Sequence, residues 1–597
     1  MALSTVRLKI LPYCFLALLA TGLPAAAQVS FQDVTTSSGV DYLHWDGVQP
    51  AAIEGSDRQF LHMIGAAAAG DYDNDGWPDL YVTRFDEPNL LFHNLQDGTF
   101  EEVGAAAGVD LDSWSTHCGW GDIDNDGFLD LYVLTFDRFG RDYLYMNNGA
   151  GGFTESAVAR GVDIPESSGT ARRMSGAAFG DYDLDGALDL MVTEWSFATS
   201  KNLLFHNDGL GFFTDVSTAA GVSLANVFGF APKFADVNND GWPDLLVAAD
   251  FQMSKLLSNL GNGQFQDVTL SAGVGTDENG MGSAVDDYDN DGDLDWFVTS
   301  IYDGENTCEA QPCTWSDSGN RLYRNDLNFS FSDATDSVGV REGYWGWGTS
   351  FLDFDNDGDL DLGMTNGIIF PWAPVEDLFN EDPARLWEND GTGVMTEVSG
   401  TYGFVDTGSG KGFLVFDFDR DGDQDVFIVN NGGHPVLFRN DGGNNNAWLQ
   451  VSLQGNQTNH FGIGARVEVQ VTDGGTVQMR EISAGSNFMS QNEVIAHFGL
   501  GSGTSTVHLV RVEWPVSGLL QEFWNVPANQ RLALIEAPKG DVNMDGQADP
   551  NDTSPLVGLL LGDTPSGLMQ AWAADASGDG QIDGADVKPF IDAVMGQ

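Results

Sequence analysis

The sequence predicts a mainly β protein: a seven-bladed β-propeller, then a small β domain, then a small α-helical domain. Two observations carry the propeller. An acidic phrase, D-x-D/N-x-D-G-x-x-D, occurs seven times, starting at Asp71, Asp122, Asp181, Asp236, Asp287, Asp353 and Asp417, at intervals of 51 to 66 residues. One copy of the element that closes each repeat stands before the first acidic phrase and is missing after the last. Repeats of this length suit four-stranded blades, and a displaced closing element is what a ring completed by its own N-terminus requires.

Each repeat has three parts. The acidic phrase leads into a strand-like run such as "LYVTRF", "LMVTEW" or "VFIVNN". A second run follows: "NLLFHN", "DYLYMN", "NLLFHN", "KLLSNL", "NRLYRN", "ARLWEN" and "PVLFRN". The third, "FEEVGAAAGV" in the first repeat, has counterparts in the next five but none after the seventh, where the chain passes into "NNNAWLQV". The spare copy is "FQDVTTSSGV", Phe31 to Val40. These features assign residues 28–443 to the propeller. An open solenoid would not need the displaced copy.

The acidic phrases read as calcium loops. Calcium takes about six to eight oxygen ligands in irregular geometry, whereas magnesium prefers a tighter octahedron with retained water. Positions 1, 3, 5 and 9 supply side-chain oxygens, position 7 a carbonyl, and glycine at position 6 permits the sharp turn. The candidate ligands are Asp71, Asp73, Asp75 and Asp79; Asp122, Asp124, Asp126 and Asp130; Asp181, Asp183, Asp185 and Asp189. They continue as Asp236, Asn238, Asp240 and Asp244; Asp287, Asp289, Asp291 and Asp295. The last two sets are Asp353, Asp355, Asp357 and Asp361, then Asp417, Asp419, Asp421 and Asp425. Asn238 offers a neutral oxygen in place of a carboxylate. Solvated turns are the alternative, since Asp, Asn and Gly favour turns; seven copies in register argue against it. Strands rather than helices follow, so the loop is EF-hand-like in ligands only.

These phrases resemble the FG-GAP (VCBS-type) repeats of integrin α-chain propellers. The resemblance implies calcium on one face, where it stabilises the ring, and partner binding through other loops. From Asn444 the pattern changes. "GIGARV", "SQNEVIAHFGLG", "VEWPVSG" and "VPANQRL" resemble the ASPIC/UnbV domain, which assigns residues 444–536 and suggests the cartilage acidic protein-like family. Alternating apolar residues there, Leu449, Val451 and Leu453, then Val467 and Val469, argue strands. Arg466, Arg480 and Arg511 are expected to pair with nearby acids, with anion binding as the alternative.

After a linker at 537–539, residues 540–597 hold two further acidic loops, each followed by an apolar helical stretch. Their ligand positions are Asp541, Asn543, Asp545, Asp549 and Asp552, then Asp575, Ser577, Asp579, Asp583 and Asp586. The duplicated loop–helix resembles a type I dockerin, which implies two calcium ions and a cohesin-like partner. Pro550–Asn551 and Gly584–Ala585 stand where cohesin-binding dockerins carry Ser/Thr pairs, a departure from that pattern. The chain as a whole is therefore expected to hold about nine Ca²⁺ ions, seven in the ring and two in the tail.

Composition sets the remaining bounds. The 597 residues carry 89 acidic and 25 basic side chains, a formal charge of −64, with 42% hydrophobic residues. That is enough apolar material for large cores, and the charge disfavours nucleic acid as a partner. Arg7 and Lys9, the apolar run "ILPYCFLALLA" and "PAAAQ" read as a signal peptide over 1–27; a retained N-terminal anchor is the alternative. No later segment is long and apolar enough to span a bilayer. Cys308 and Cys313 are expected to pair, as suits an oxidising compartment, and Cys118 to lie in the core.

No catalytic set is evident. "TGSGKG" at 407–412 lacks the P-loop spacing and reads as a strand connection; His93 and His206 recur at one repeat position and read as structural. The expected function is that of a secreted calcium-binding module, adhesive or scaffolding, that recognises protein or glycan. Membership of a polysaccharide-degrading system, as enzyme or accessory subunit, is the alternative suggested by the tail. An accessory role in surface assembly is a third.

Overall fold

The computed structural model describes residues 29–595 apart from 47–52, 54–56, 137–140, 165–172, 197–201, 223, 304–317, 369–378, 380–381 and 545. The expected signal peptide and the Cys308–Cys313 pair lie outside the described residues. The chain is mainly β.

Seven antiparallel sheets follow one another, none closed on itself. Sheet 1 comprises Ala67–Gly70, Asp79–Val82, Leu90–Asn94 and Phe100–Glu102. Sheets 2 to 6 repeat this order, with first strands Asp112–Gly121, Met174–Gly180, Gly229–Ala235, Ser283–Asp286 and Gly346–Leu352; Phe85–Pro88 adds a fifth strand to sheet 2. Sheet 7 has Gly410–Phe416, Asp425–Asn430 and Val436–Asp441, and its fourth strand is Ser30–Asp33 from the start of the chain, with Phe31 opposite Asn440. The "TGSGKG" segment is thus not only a connection, because Gly410 begins a strand.

First strands of consecutive sheets pack side by side, and that of sheet 7 packs against that of sheet 1, so the series returns to its start. These strands carry small and aromatic residues because backbones crowd there. A Cβ at Gly176 would lie 1.9 Å from the carbonyl of Phe230 in the next sheet, and one at Gly348 2.4 Å from that of Lys411. After the fourth strand of each sheet a one-turn helix ends on a left-handed glycine, such as Gly108 or Gly221, which turns the chain toward the next sheet.

Residues 447–535 form a three-stranded and a four-stranded sheet (Ala447–Gln454 with Ala496–Gly501 and Gln530–Ile535; Arg466–Gln470 with Val477–Glu481, Thr506–Glu513 and Leu520–Pro527). Their buried faces, including Leu449, Val467, Phe498 and Trp514, share one core with Tyr132, Phe179 and Leu190 of sheets 2 and 3. Arg466 pairs with Glu481 and Asp236, and Arg511 with Glu468 and Glu522. Arg480 departs from the expected pairing. It lies over the Phe498 ring and donates to the carbonyl of Met479; it forms no direct ion pair among the described residues, although its charge acts on Asp286, Asp287 and Asp353 nearby.

The tail packs helices Thr553–Leu560, Leu568–Ala574 and Val587–Val594 around Val542, Leu556, Leu559 and Phe590. Trp572 anchors it against Phe523 of the β domain, and Lys539 caps the Trp572 ring and its carbonyl. Among the described residues no helix is long and apolar enough to cross a membrane.

Candidate metal centres in the repeated acidic loops

Each acidic loop joins the first strand of a sheet to the second, and all seven share one geometry. The position-1 carboxylate accepts the N–H of position 5 on one oxygen and that of the position-6 glycine on the other, at 2.8–3.2 Å throughout. Position 4 has φ of 54–59° and the glycine 87–103°, a conformation few residues tolerate. Asn is favoured there, yet Leu184 and Arg420 adopt it too.

The position-9 aspartates, Asp79, Asp130, Asp189, Asp244, Asp295, Asp361 and Asp425, are buried. Each accepts, at 2.7–2.9 Å, the backbone N–H of an asparagine at or next to the end of the third strand: Asn94, Asn147, Asn207, Asn259, Asn325, Asn389 and Asn440. The amide of each asparagine then donates to the position-2 carbonyl of the preceding sheet's loop, at 2.6–3.0 Å. For Asn94 that carbonyl belongs to Phe418 in the seventh loop, so the series of clamps also returns to its start. Loops touch directly as well: Asn74 donates to Gly127, Asn125 to Gly186, Asn356 to Gly422, and Arg420 to Gly76.

Position 3 is where the loops call for a cation. One buried oxygen of Asp73, Asp124, Asp183, Asp289 and Asp419 has no hydrogen-bond partner. A buried carboxylate oxygen left bare is costly, and a bound cation would satisfy it. Ligand atoms converge accordingly: Asp71, Asp73 and Asp75, or Asp181, Asp183 and Asp185, or Asp122, Asp124 and Asp130, each lie within 4.8 Å of one another. Burial raises Asp122 and Asp79 to about 7, Asp130 to about 8 and Asp244 to about 9, and pushes Asp353, Asp361 and Asp425 well up. A divalent cation would reverse that penalty. The oxygen-rich donor set fits a hard cation such as calcium.

The loops are not equivalent. In the fourth, the Asn238 amide is tied to Asp240 through both its nitrogen and its oxygen, and Arg466 lies 3.4 Å from Asp236. In the first and third, His93 and His206 reach Asp79 and Asp189 at 3.1 and 3.2 Å, and hydrogen bonding to those acids lifts both imidazoles to about 9. The two histidines, read as structural in the sequence, therefore stand within the candidate centres. The sequence reading also passed over the seven asparagines, although each ends its quoted second run or, in "KLLSNL", stands next to its end.

The C-terminal β domain sits on this loop face. Gln450 donates to Asp417, the Gly499 N–H to Asp353, the His460 N–H to Asn125, and Arg420 pairs with Glu493. From the same domain, residues 483–493 enter the space between the first strands and bond to every sheet. Gln491 exchanges backbone hydrogen bonds with Ala67 and Ala69 and clasps both backbone groups of Trp120 through its side chain. Ala484 accepts from Phe179, Ser486 donates to Pro232, Asn487 accepts from Ser283, and Asn492 bonds Ser350 and Val415. Phe488 packs on Phe230 and Trp347. Phe60 and Leu61 of the helix Asp57–Leu61 join the same core.

In the tail, the loop at 541–552 has Asp541 accepting from Gly546, and Asp552 from Asn543 and Asp549. The loop at 575–586 matches it through Asp575, Gly580, Ser577, Asp583 and Asp586. Asp545 lies outside the described residues.

Residues 71–133, 122–192, 236–298 and 313–364 match the FG-GAP-like repeat, and residues 455–541 match the ASPIC and UnbV domain. The chain is similar to cartilage acidic protein 1. It is 26% identical to the Mus musculus protein over 492 residues (75% of this chain, 70% of that one). It is 25% identical to the Homo sapiens protein over 517 residues (79% and 71%). The matched repeats reach six of the seven loops; the loop at Asp417 lies beyond them. Among solved structures, the Bacillus licheniformis rhamnogalacturonan lyase PL11 aligns at a TM-score of 0.34 and 15% identity, covering 62% of this chain and 70% of that one, too loosely to carry an argument.

Proposed function

We propose that this chain is an extracellular binding module whose seven sheets are the blades of a calcium-built β-propeller. The bare position-3 oxygens, repeated in five loops of one geometry, carry the calcium reading. Calcium at each loop would neutralise acids that burial disfavours and fix the carbonyl that the next blade's asparagine grips. Its role is thus architectural: seven ions hold the ring and the seat of the C-terminal domain, and two more order the tail. Secretion fits the signal-like N-terminus and the homology to cartilage acidic protein 1.

With the β domain on the loop face, we place a ligand on the opposite face, on the described residues there. Aromatic side chains gather there at the far ends of the first and second strands. Phe251 packs on Phe228 at 5.2 Å and remains 41% exposed, Trp114 stacks on Phe85, and Tyr344 lies under the Arg385 guanidinium. Such surfaces suit a sugar ring or an aromatic-rich protein segment. Calcium-loaded protein on glycan and matrix-protein arrays tests this. Binding that is lost with Phe251→Ala or Trp114→Ala supports it. Absence of binding on both arrays, or release of new reducing ends, overturns it.

One observation favours a second role for the tail. Val557 on its first helix and Leu561 just past it, and Ile591 on its last helix and Met595 just past it, stand at equal offsets from Asp541 and Asp575, and all four are exposed. A duplicated apolar stripe of this kind fits docking to a partner protein, as the dockerin resemblance implies.

A further inference from the structure

We propose that Lys233 and Asn487 form an intramolecular isopeptide bond that fastens the axial loop of the C-terminal domain to the first strand of sheet 4. Lys233 lies on Gly229–Ala235, and Asn487 at the middle of the loop that enters the ring. Both side chains are buried, and Nζ stands 3.1 Å from Oδ1 of Asn487. That hydrogen bond is its one polar contact among the described residues; Asp286 faces it without forming an ion pair and offsets only part of the effect of burial. An amine so placed is disfavoured as an ammonium, and burial lowers Lys233 to about 8, so the nucleophilic free base is accessible near neutral pH.

The electrophile is held as firmly. Asn487 Nδ2 donates to the carbonyl of Phe413 and to Asn492 Oδ1, so the amide presents its carbonyl side to the lysine. Phe488, next in the chain, is locked between Phe230 and Trp347. Gly485 lets the loop run against the lysine stem, since a Cβ there would lie 2.8 Å from Lys233 Cγ. Lys233 also borders a polar cavity of about 110 Å³ between the ring and the β domain, lined in part by Asp286 and Ser350, which can receive a small leaving group.

The step balances without a co-reactant. The neutral Nζ attacks Cγ of Asn487, a C–N bond forms, the Cγ–Nδ2 bond breaks, and a proton passes from Nζ to Nδ2, which departs as ammonia. No group is oxidised or reduced. The product is a secondary amide, which removes the lysine's charge from the interior and makes detachment of the β domain from the ring a covalent matter.

Intact-mass spectrometry of the purified, calcium-loaded full chain tests this directly. The bond predicts a mass lower by about 17 Da, the ammonia released, and a branched proteolytic peptide joining residues 233 and 487. Lys233→Arg and Asn487→Ala should each restore full mass and abolish the branched peptide. An unshifted wild-type mass, with the Lys233 ε-amine free to amine-reactive labelling after denaturation, overturns the proposal, whether or not either variant folds.

Discussion

Asn94 offers the sharpest test of how the series of sheets is joined at its ends. Its amide donates to the carbonyls of Pro78 at 3.1 Å and of Phe418 at 2.8 Å, and its oxygen accepts from the Gln96 N–H at 2.9 Å. The residue is fully buried, and Phe418 is 324 positions away. Asn94→Ala removes all three bonds and leaves two buried carbonyls without a donor. Each stranded group costs about 1–3 kcal/mol, so the variant should lose about 3 kcal/mol overall. Asn147→Ala, which breaks the equivalent clamp between sheets 1 and 2, should lose the same amount. Urea unfolding followed by tryptophan fluorescence, in saturating calcium, reads both. A full loss for Asn147→Ala beside a loss under about 1 kcal/mol for Asn94→Ala would mean that sheets 7 and 1 are not clamped, and the ring reading would fail.

Three further outcomes follow from the same geometry. In chelator, stability should fall as pH rises from about 5 to 8. Asp79, Asp122, Asp130 and Asp244 hold their protons to about 7–9 when folded against an ordinary 3.8, so over that window the folded state binds more protons than the unfolded one. With calcium the ligands stay ionised in the folded state, as they already are in the unfolded state over this window, so the slope should vanish; the same slope in both conditions would contradict the site assignment. The fourth loop should lose its ion first as calcium is lowered, because Asn238 is tied to Asp240 and Arg466 sits beside Asp236. Calcium anomalous scattering from crystals at limiting calcium checks this, and Asn238→Asp should delay the loss. Phe488→Ala should cost about 3–5 kcal/mol and make the β domain easier to release by limited proteolysis, since the ring vacated is packed on Phe230 and Trp347.

The acidic loops were legible because their information is local: a spacing of aspartates, a glycine with φ near 90°, a strand beginning at position 9. The fourth strand of sheet 7, Ser30–Asp33, was also foreseeable, since the displaced "FQDV" needs a partner. What could not be read were meanings that depend on distant partners. Asn94 is visible as a letter, but only Phe418 makes it a clamp. "SAGSNFMSQN" reads as a turn-rich stretch, and nothing in its composition says that it enters the space between the first strands and bonds to them. Charge foretold that Arg480 has acids nearby, such as Asp286 and Asp287, but not that its guanidinium lies over Phe498 without a direct ion pair. Asn238 supplies an oxygen on paper, yet its neighbour Asp240 takes both ends of the amide.

The central claim is that the seven loops hold calcium and that the ring depends on it. Metal counting on residues 28–597, paired with thermal unfolding in calcium and in chelator, tests it most directly. About nine bound calcium ions and a large loss of stability on chelation are expected. Two ions or fewer, with unfolding of the ring unchanged by chelator, would contradict it.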